Sequence, residues 1–269
     1  MDLSKKIISL PIQTQYFPFF PTFMKYILQN SSPKLLLKLY QCCKYFYFKL
    51  RITIAPNVWY KIYPKEKVIS YGFYDEDEKS WNYQDYPNDE KFWLCDKLRI
   101  HPVIGSSFNC GLIGILNKIY RNNLKELTID SKFTIFKELE ILSKSPNLIN
   151  VELNTVVKNE NDEPIPIEEI MVLFPNLKEF EMFLPHFTKK SFQKLSEFQF
   201  LNKFKVLKFW SVNDEFDPIS LCNFLEKIFE DNAEFTFMFR SRKIKNQLLP
   251  RVKEIINEWK TKKLESFVF

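Results

Sequence analysis

From Cys95 onward the apolar positions fall in short bursts that share one internal pattern. The clearest read LKELTI (124–129), LINVEL (148–153), LKEFEM (177–182) and FKVLKF (204–209), each apolar at its first, fourth and sixth positions. Apolar residues two apart, with a polar one between them, mark a strand that buries one face. The fourth-position residues Leu127, Val151, Phe180 and Leu207 are 24, 29 and 27 residues apart. Weaker copies at Leu98, Phe235 and Phe267 extend the series with spacings of 29, 28 and 32.

The stretches between bursts carry helical periodicity. In FTIFKELEILSKS (133–145), Ile135, Phe136, Leu139 and Leu142 keep to one helical face until Pro146-Asn147 stops them. PIPIEEIMVLF (164–174) and FTKKSFQKLSEFQFL (187–201) follow, the second opening at Thr188. DPISLCNFLEKIFE (217–230) begins with a capping Asp217 and with Pro218 in its first turn. Strand and helix alternating at about 28 residues per unit predict an α/β chain of parallel strands with outer helices. One unit cannot bury its apolar face alone, so the units are expected to stack into a curved solenoid over 95–269.

If positions four and six point inward, positions three, five and seven face the other side of the sheet. They are Lys97, Arg99 and His101, then Glu126, Thr128 and Asp130, then Asn150, Glu152 and Asn154. Glu179, Glu181 and Phe183, then Val206, Lys208 and Trp210, then Glu234, Thr236 and Met238 complete the set. A chain of formal net charge +6 thus presents an acidic mid-surface beside two outward aromatics. Glu126, Asp130, Glu152, Glu179, Glu181, Phe183, Lys208 and Trp210 are the candidate partner-binding residues, suited to a protein segment carrying Lys or Arg and one apolar anchor.

These bursts, with their spacing, resemble the leucine-rich repeat family in degenerate form. Where that family places Asn or Cys to tie its turn, this chain has Lys132, Val156, Pro185 and Val212, and Phe or Met replaces many leucines. The resemblance implies a solenoid that binds proteins on its concave side.

Residues 1–60 read differently. Ser31 or Ser32 caps a helix with Pro33 in its first turn. Leu36, Leu39, Tyr40, Cys43, Phe46 and Tyr47 fall on one stripe of SSPKLLLKLYQCCKYFY (31–47), while Leu35, Leu37, Cys42 and Tyr45 lie on other faces. Two readings stand side by side: a cap for the end of the solenoid, or a module that grips another protein. Leu10, Pro11, Ile27, Leu28, Pro33, Leu36, Leu37, Leu39, Cys43, Lys44, Phe46 and Trp59 carry a likeness to the F-box. The F-box is the helical module that docks onto the adaptor of cullin-type ubiquitin ligases, and this pairing with repeats resembles divergent, Phe-rich F-box proteins of the nematode type. That resemblance implies adaptor contacts at Leu10, Pro11, Ile27, Leu28, Pro33, Leu36, Leu39, Cys43 and Phe46. An acidic and aromatic connecting segment, 61–94, separates the module from the repeats and reads as a solvated loop or a β-hairpin.

Composition narrows the chemistry. Four glycines, Gly72, Gly105, Gly111 and Gly114, leave no phosphate-cradling loop. His101, His186 and five cysteines, Cys42, Cys43, Cys95, Cys110 and Cys222, show no metal-ligand spacing and no C-x-x-C pair. Reduced thiols in a cytoplasmic or nuclear protein are the expectation, with no metal, no cofactor and no catalytic residues. The apolar stretch near the start is cut by Pro11, Gln13 and Gln15, too short for a membrane span. Residues 240–263 hold nine Lys/Arg against two Glu, a local +7, around an apolar stripe of Ile244, Leu248, Val252, Ile255 or Ile256, and Trp259. Pro250 is expected to kink that helix or restart it. Three functions follow in order: a non-catalytic substrate receptor of a ubiquitin ligase, a leucine-rich-repeat scaffold with no ligase role, and nucleic-acid binding by the basic stretch.

Overall fold

The computed structural model describes residues 20–62, 67–75, 80–85, 91–102, 112–213, 216–257 and 266–268. Three short helices come first: α1 (Pro21–Asn30), α2 (Pro33–Cys42) and α3 (Lys44–Leu50). Proline in the first turn opens α1 and α2, where its missing N–H has no partner to lose. Ser32 is the cap of α2, accepting from the Leu35 amide at 3.2 Å, while Ser31 Oγ donates back to the Ile27 carbonyl at 2.6 Å. The neighbouring serines thus divide the work of closing one helix and opening the next. Arg51, left-handed at φ 47°, ends α3 by donating its amide to the Tyr47 carbonyl.

Everything downstream is built on one sheet. Its strands are β1 (Ile52–Ile62), β2 (Lys67–Asp75), β3 (Ser80–Asp85), β4 (Lys91–Pro102), β5 (Ile119–Asn122) and β6 (Glu126–Ile135). β7 (Asn150–Lys158), β8 (Glu179–Phe183), β9 (Phe204–Val212), β10 (Phe229–Phe239) and β11 (Ser266–Val268) follow. The spatial order is β11-β10-β9-β8-β7-β6-β4-β1-β2-β3, with β5 beside the first half of β4. From β1 through β4 to β11 every pairing is parallel, and only β2 and β3 turn back as an antiparallel hairpin at the edge. The inward residues Val58, Leu98, Leu127, Val151, Phe180, Leu207 and Phe235 form one register line, and the backbone of Phe267 in β11 continues it.

The fold is therefore mixed α/β, a mostly parallel sheet with helices between its strands. Those helices are α4 (Ile113–Leu116), α5 (Phe136–Ser143), α6 (Ile167–Met171), α7 (Ser191–Glu197), α8 (Pro218–Ile228) and α9 (Arg242–Asn257). Leu139 and Leu142 of α5, Ile167 and Ile170 of α6, Leu195 of α7, Leu221 and Leu225 of α8 and Val252 of α9 enter the same core cluster as the inward strand residues. The helices thus cover one face of the sheet. The entrances of β6 to β9 are each tied to the one before: Lys125 donates its amide to Asp96, Ile149 to Lys125, Lys178 to Ile149 and Lys205 to Lys178. Asn176 and Asn202 add side-chain bonds to the Pro146 and Asn176 carbonyls at 3.0 and 2.7 Å.

Several sequence expectations need correction. The helical start does not run to residue 60, because the chain turns extended at Ile52 and its next eleven residues join the sheet one strand ahead of the expected repeats. Trp59 is accordingly a strand residue. The helix expected from residue 133 begins at Phe136, since Phe133, Thr134 and Ile135 still pair with β7. The strand also runs through Lys132, and β7 through Val156 and β9 to Val212, so strand backbone stands where an Asn-tied turn would sit. Pro250 lies inside a single continuous α9, on its exposed side. The connecting segment holds the β2–β3 hairpin.

Candidate functional site

The face of the sheet opposite the helices carries the residues expected there. Lys97, Arg99, His101, Glu126, Thr128, Asp130, Asn150, Glu152, Asn154, Glu179, Glu181, Val206, Lys208, Trp210 and Glu234 are all half-buried, Phe183 and Met238 are exposed, and Thr236 is buried. The structure therefore brings all eight candidate partner-binding residues to one surface. Alternation along a strand needs no long-range information, which is why the sequence placed them correctly.

Sequence reasoning missed how these side chains answer one another. Lys97 pairs with Glu126 at 2.8 Å, His101 Nδ1 meets Asp130 at 2.5 Å, and Lys208 pairs with Glu234 at 2.8 Å. Trp59 packs its ring 5.5 Å from His101, and the Arg99 guanidinium lies 5.6 Å over the same indole. The carboxylates at the two ends of the face are thus answered by basic side chains. Those in its middle are not.

Glu152 and Glu181 are direct register partners on β7 and β8, and Glu179 stands beside Asn150. Their contacts are with neutral donors: Asn154 to Glu152 at 2.8 Å, Asn150 to Glu179 at 2.9 Å, and the Trp210 indole N–H to Glu181 at 2.7 Å. Among the described residues none of the three carboxylates has an ion-pair partner. Like charges side by side on neighbouring strands oppose pairing, so the middle of the face holds negative charge that a cation would relieve.

Two aromatics border that charge. Phe183 and Trp210 are register partners, and Phe183 is 41 % exposed. The residue after each is left-handed, Leu184 at φ 54° and Ser211 at φ 58°. A left-handed non-glycine residue costs about 1–2 kcal/mol. The Leu184 amide donates to the Trp210 carbonyl at 2.9 Å, which holds the two strand ends together in that conformation.

The N-terminal helices supply a second surface, but not through the residues expected. Leu10 and Pro11 lie outside the described residues. Leu28, Leu36, Cys43 and Phe46 are buried, with Leu39 packed against them, in a cluster that includes Met24, Tyr40, Ile52, Ile54, Trp93 and Cys95. Their stripe closes on the first strands of the chain's own sheet, so these are core residues; Ile27 and Pro33 are half-buried. Arg121, 4.7 Å over the Trp93 ring, also donates to the Gln29 carbonyl and clasps α1 to the sheet.

The opposite sides of the same helices are apolar as well. Among the described residues thirteen large hydrophobic side chains are exposed, and seven of them, Phe20, Phe23, Tyr26, Leu35, Leu37, Tyr45 and Phe48, belong to this short region. The signal was present in the sequence: Phe20, Phe23 and Tyr26 repeat every third residue, as do Tyr45 and Phe48, off the stripe that faces inward.

Burial, with the neighbouring Asp96 carboxylate, pushes the Cys95 thiol up to about 12, and burial does the same to Cys222. Among the described residues no group of three or more His, Cys, Asp and Glu could hold a metal, and no helix is long and apolar enough to cross a membrane. No family model, curated protein or solved structure matches this chain.

Proposed function

We propose that this chain is a non-catalytic receptor with two protein-binding surfaces. The sheet and its helices act as a degenerate leucine-rich-repeat solenoid, and its open face takes a target segment that carries Lys or Arg. Glu152, Glu179 and Glu181 receive the cation, and Phe183 and Trp210 receive an apolar anchor. The N-terminal helices act as an F-box-like module that docks onto the adaptor of a cullin-type ubiquitin ligase, leaving ubiquitin chemistry to other subunits. The observation that carries this reading is the exposure of Phe23, Tyr26, Leu35, Leu37, Tyr45 and Phe48 on three short helices whose inner stripe is already filled. Large exposed apolar groups in one place mark an interaction surface, and a helix pair that only capped the sheet would need just one apolar side.

The second reading, a repeat scaffold with no ligase role, has its own support. Leu28, Leu36, Cys43 and Phe46 pack on Ile52, Ile54, Trp93 and Cys95 as a cap would.

Truncation cannot separate the two, because removing residues 1–60 also removes most of β1. Substitution in the full chain can. The triple change F23S, Y26S and L35Q should leave the unfolding free energy within about 0.5 kcal/mol of the parent, since these side chains are exposed. In the same protein, co-purification of the ligase adaptor should fall at least tenfold. Adaptor recovery equal to that of the parent, or none from the parent itself, defeats the ligase reading and leaves the scaffold. The pair E179K and E181K should retain the adaptor and lose the target.

A further inference from the structure

The molecule separates its charges by face. The unneutralised carboxylates Glu152, Glu179 and Glu181 lie on the open side of the sheet. The basic residues of α9 lie on the other side, because this helix buries Val252 in the helix-covered core, with Leu248 and Ile255 packed against it. Arg242, Lys243, Arg251 and Lys253 are all exposed on the wet side of α9. Arg251 is paired with Glu254 at 2.6 Å, while Arg242, Lys243 and Lys253 have no ion pair among the described residues. The sheet itself stands between the two charge sets, so they cannot meet within one molecule. They can meet between two.

We propose that the open face of one copy receives the α9 helix of a second copy. The dimensions agree. Residues 242 and 253 are separated by about 16 Å along a helix rising 1.5 Å per residue. Strands about 4.8 Å apart place β6 and β9 about 14 Å from each other. A helix about 10 Å wide, laid across β6 to β9, therefore sets its cations above Glu152, Glu179 and Glu181, with Glu126 and Asp130, already engaged by Lys97 and His101, at its edge, and Asn246 and Gln247 between the cations supply amides to the same three carboxylates. The contact is head to tail, since the surface used by one copy differs from that used by the next, so it can continue into chains. Individually weak exposed ion pairs make it reversible and dependent on salt. It also competes with any basic target for the same carboxylates, so self-association would keep the face occupied until a target displaces it.

Sedimentation velocity of the full chain across a concentration series tests this. At about 0.05 M salt the weight-average sedimentation coefficient should rise with concentration, and at about 1 M, where screening acts within about 3 Å, the rise should vanish. The pair E179K and E181K should abolish the rise, and so should the pair R251E and K253E. Mixing the two variants should restore it, because each then offers a face and a helix of opposite sign to the other. A parent chain that stays monomeric at low salt overturns the proposal. So does association that survives high salt or either charge reversal, since the exposed apolar helices would then be its cause. Target and adaptor capture are read separately, so failure here leaves the receptor reading intact.

Discussion

Glu168 shows how one residue's surroundings decide its behaviour. Burial alone would push its carboxyl up, but hydrogen bonds from Ser191, from its own backbone amide and from Lys194 outweigh that and hold it below its ordinary value near 4.5. Ser191 Oγ donates at 2.5 Å, Lys194 Nζ at 3.1 Å and Thr188 Oγ1 at 3.3 Å. A group whose pKa is lowered on folding contributes stability that is present above its unfolded value and lost as pH falls through the folded one. The Glu168 contribution should therefore be whole at neutral pH and fade below about pH 4.5. Glu168→Gln should lower the unfolding free energy by about 1–3 kcal/mol at pH 7. The gap to the parent should shrink in urea titrations carried down to pH 3. The thiols make a second residue-level case. Cys95 and Cys222, raised to about 12, stay protonated at pH 8 and should resist alkylation in the native protein. Among the thiols of the described residues, Cys42, which is exposed, should react first, and mass spectrometry of the briefly alkylated chain will show the order. No local sequence signal announced Glu168, because its side-chain partners lie twenty or more residues away, in α7 and just before it.

At the scale of elements, the repeat is held by its strand residues and by rings that cross between units. Phe187, in the connection after β8, stacks on Phe192 of α7 with centroids 5.1 Å apart, and meets Phe209 of β9 at 5.3 Å and Phe237 of β10 at 5.6 Å. One side chain thus joins three units through contacts that act beyond area burial alone. Phe187→Ala should cost about 3–5 kcal/mol, read as a lowered midpoint in guanidinium unfolding. Asp217 illustrates the opposite, a feature plain in the sequence: its carboxylate accepts from the Ser220 amide at 2.9 Å and starts α8 at Pro218 as the residue order implied. Capping and alternation are local, so the text of the chain carries them. The length of β6 beyond Asp130 was not legible. Ser131 and Thr134 continue the strand by hydrogen bonding to Thr155 at 2.9 and 3.2 Å, and that partner belongs to the next unit.

For the whole molecule, two assignments depended on which surfaces meet. The open face was legible as a surface, yet its charge was not. Lys97 with Glu126, His101 with Asp130 and Lys208 with Glu234 are each pairs about a repeat apart, and their closure concentrates the remaining negative charge on β7 and β8. The N-terminal helices were legible as apolar, but their inner and outer sides were not. Ile52, Ile54, Trp93 and Cys95 come from β1 and β4, and only their position selects the Leu36 stripe for burial. The receptor and self-association experiments act at this scale, since each asks what covers a surface that the chain leaves open.

By itself the sequence determined the strand register, the alternation of strand and helix and the side each strand residue faces. Those depend on side-chain direction along a backbone of fixed period, a property of neighbours in the chain. Only the tertiary structure decided that β1 precedes the repeats in the same sheet, which carboxylates find cations, and which side of α1, α2 and α3 remains in water. Each of those turns on pairs of residues brought together across tens of positions, and the free energy of such a contact exists only once both partners are in place.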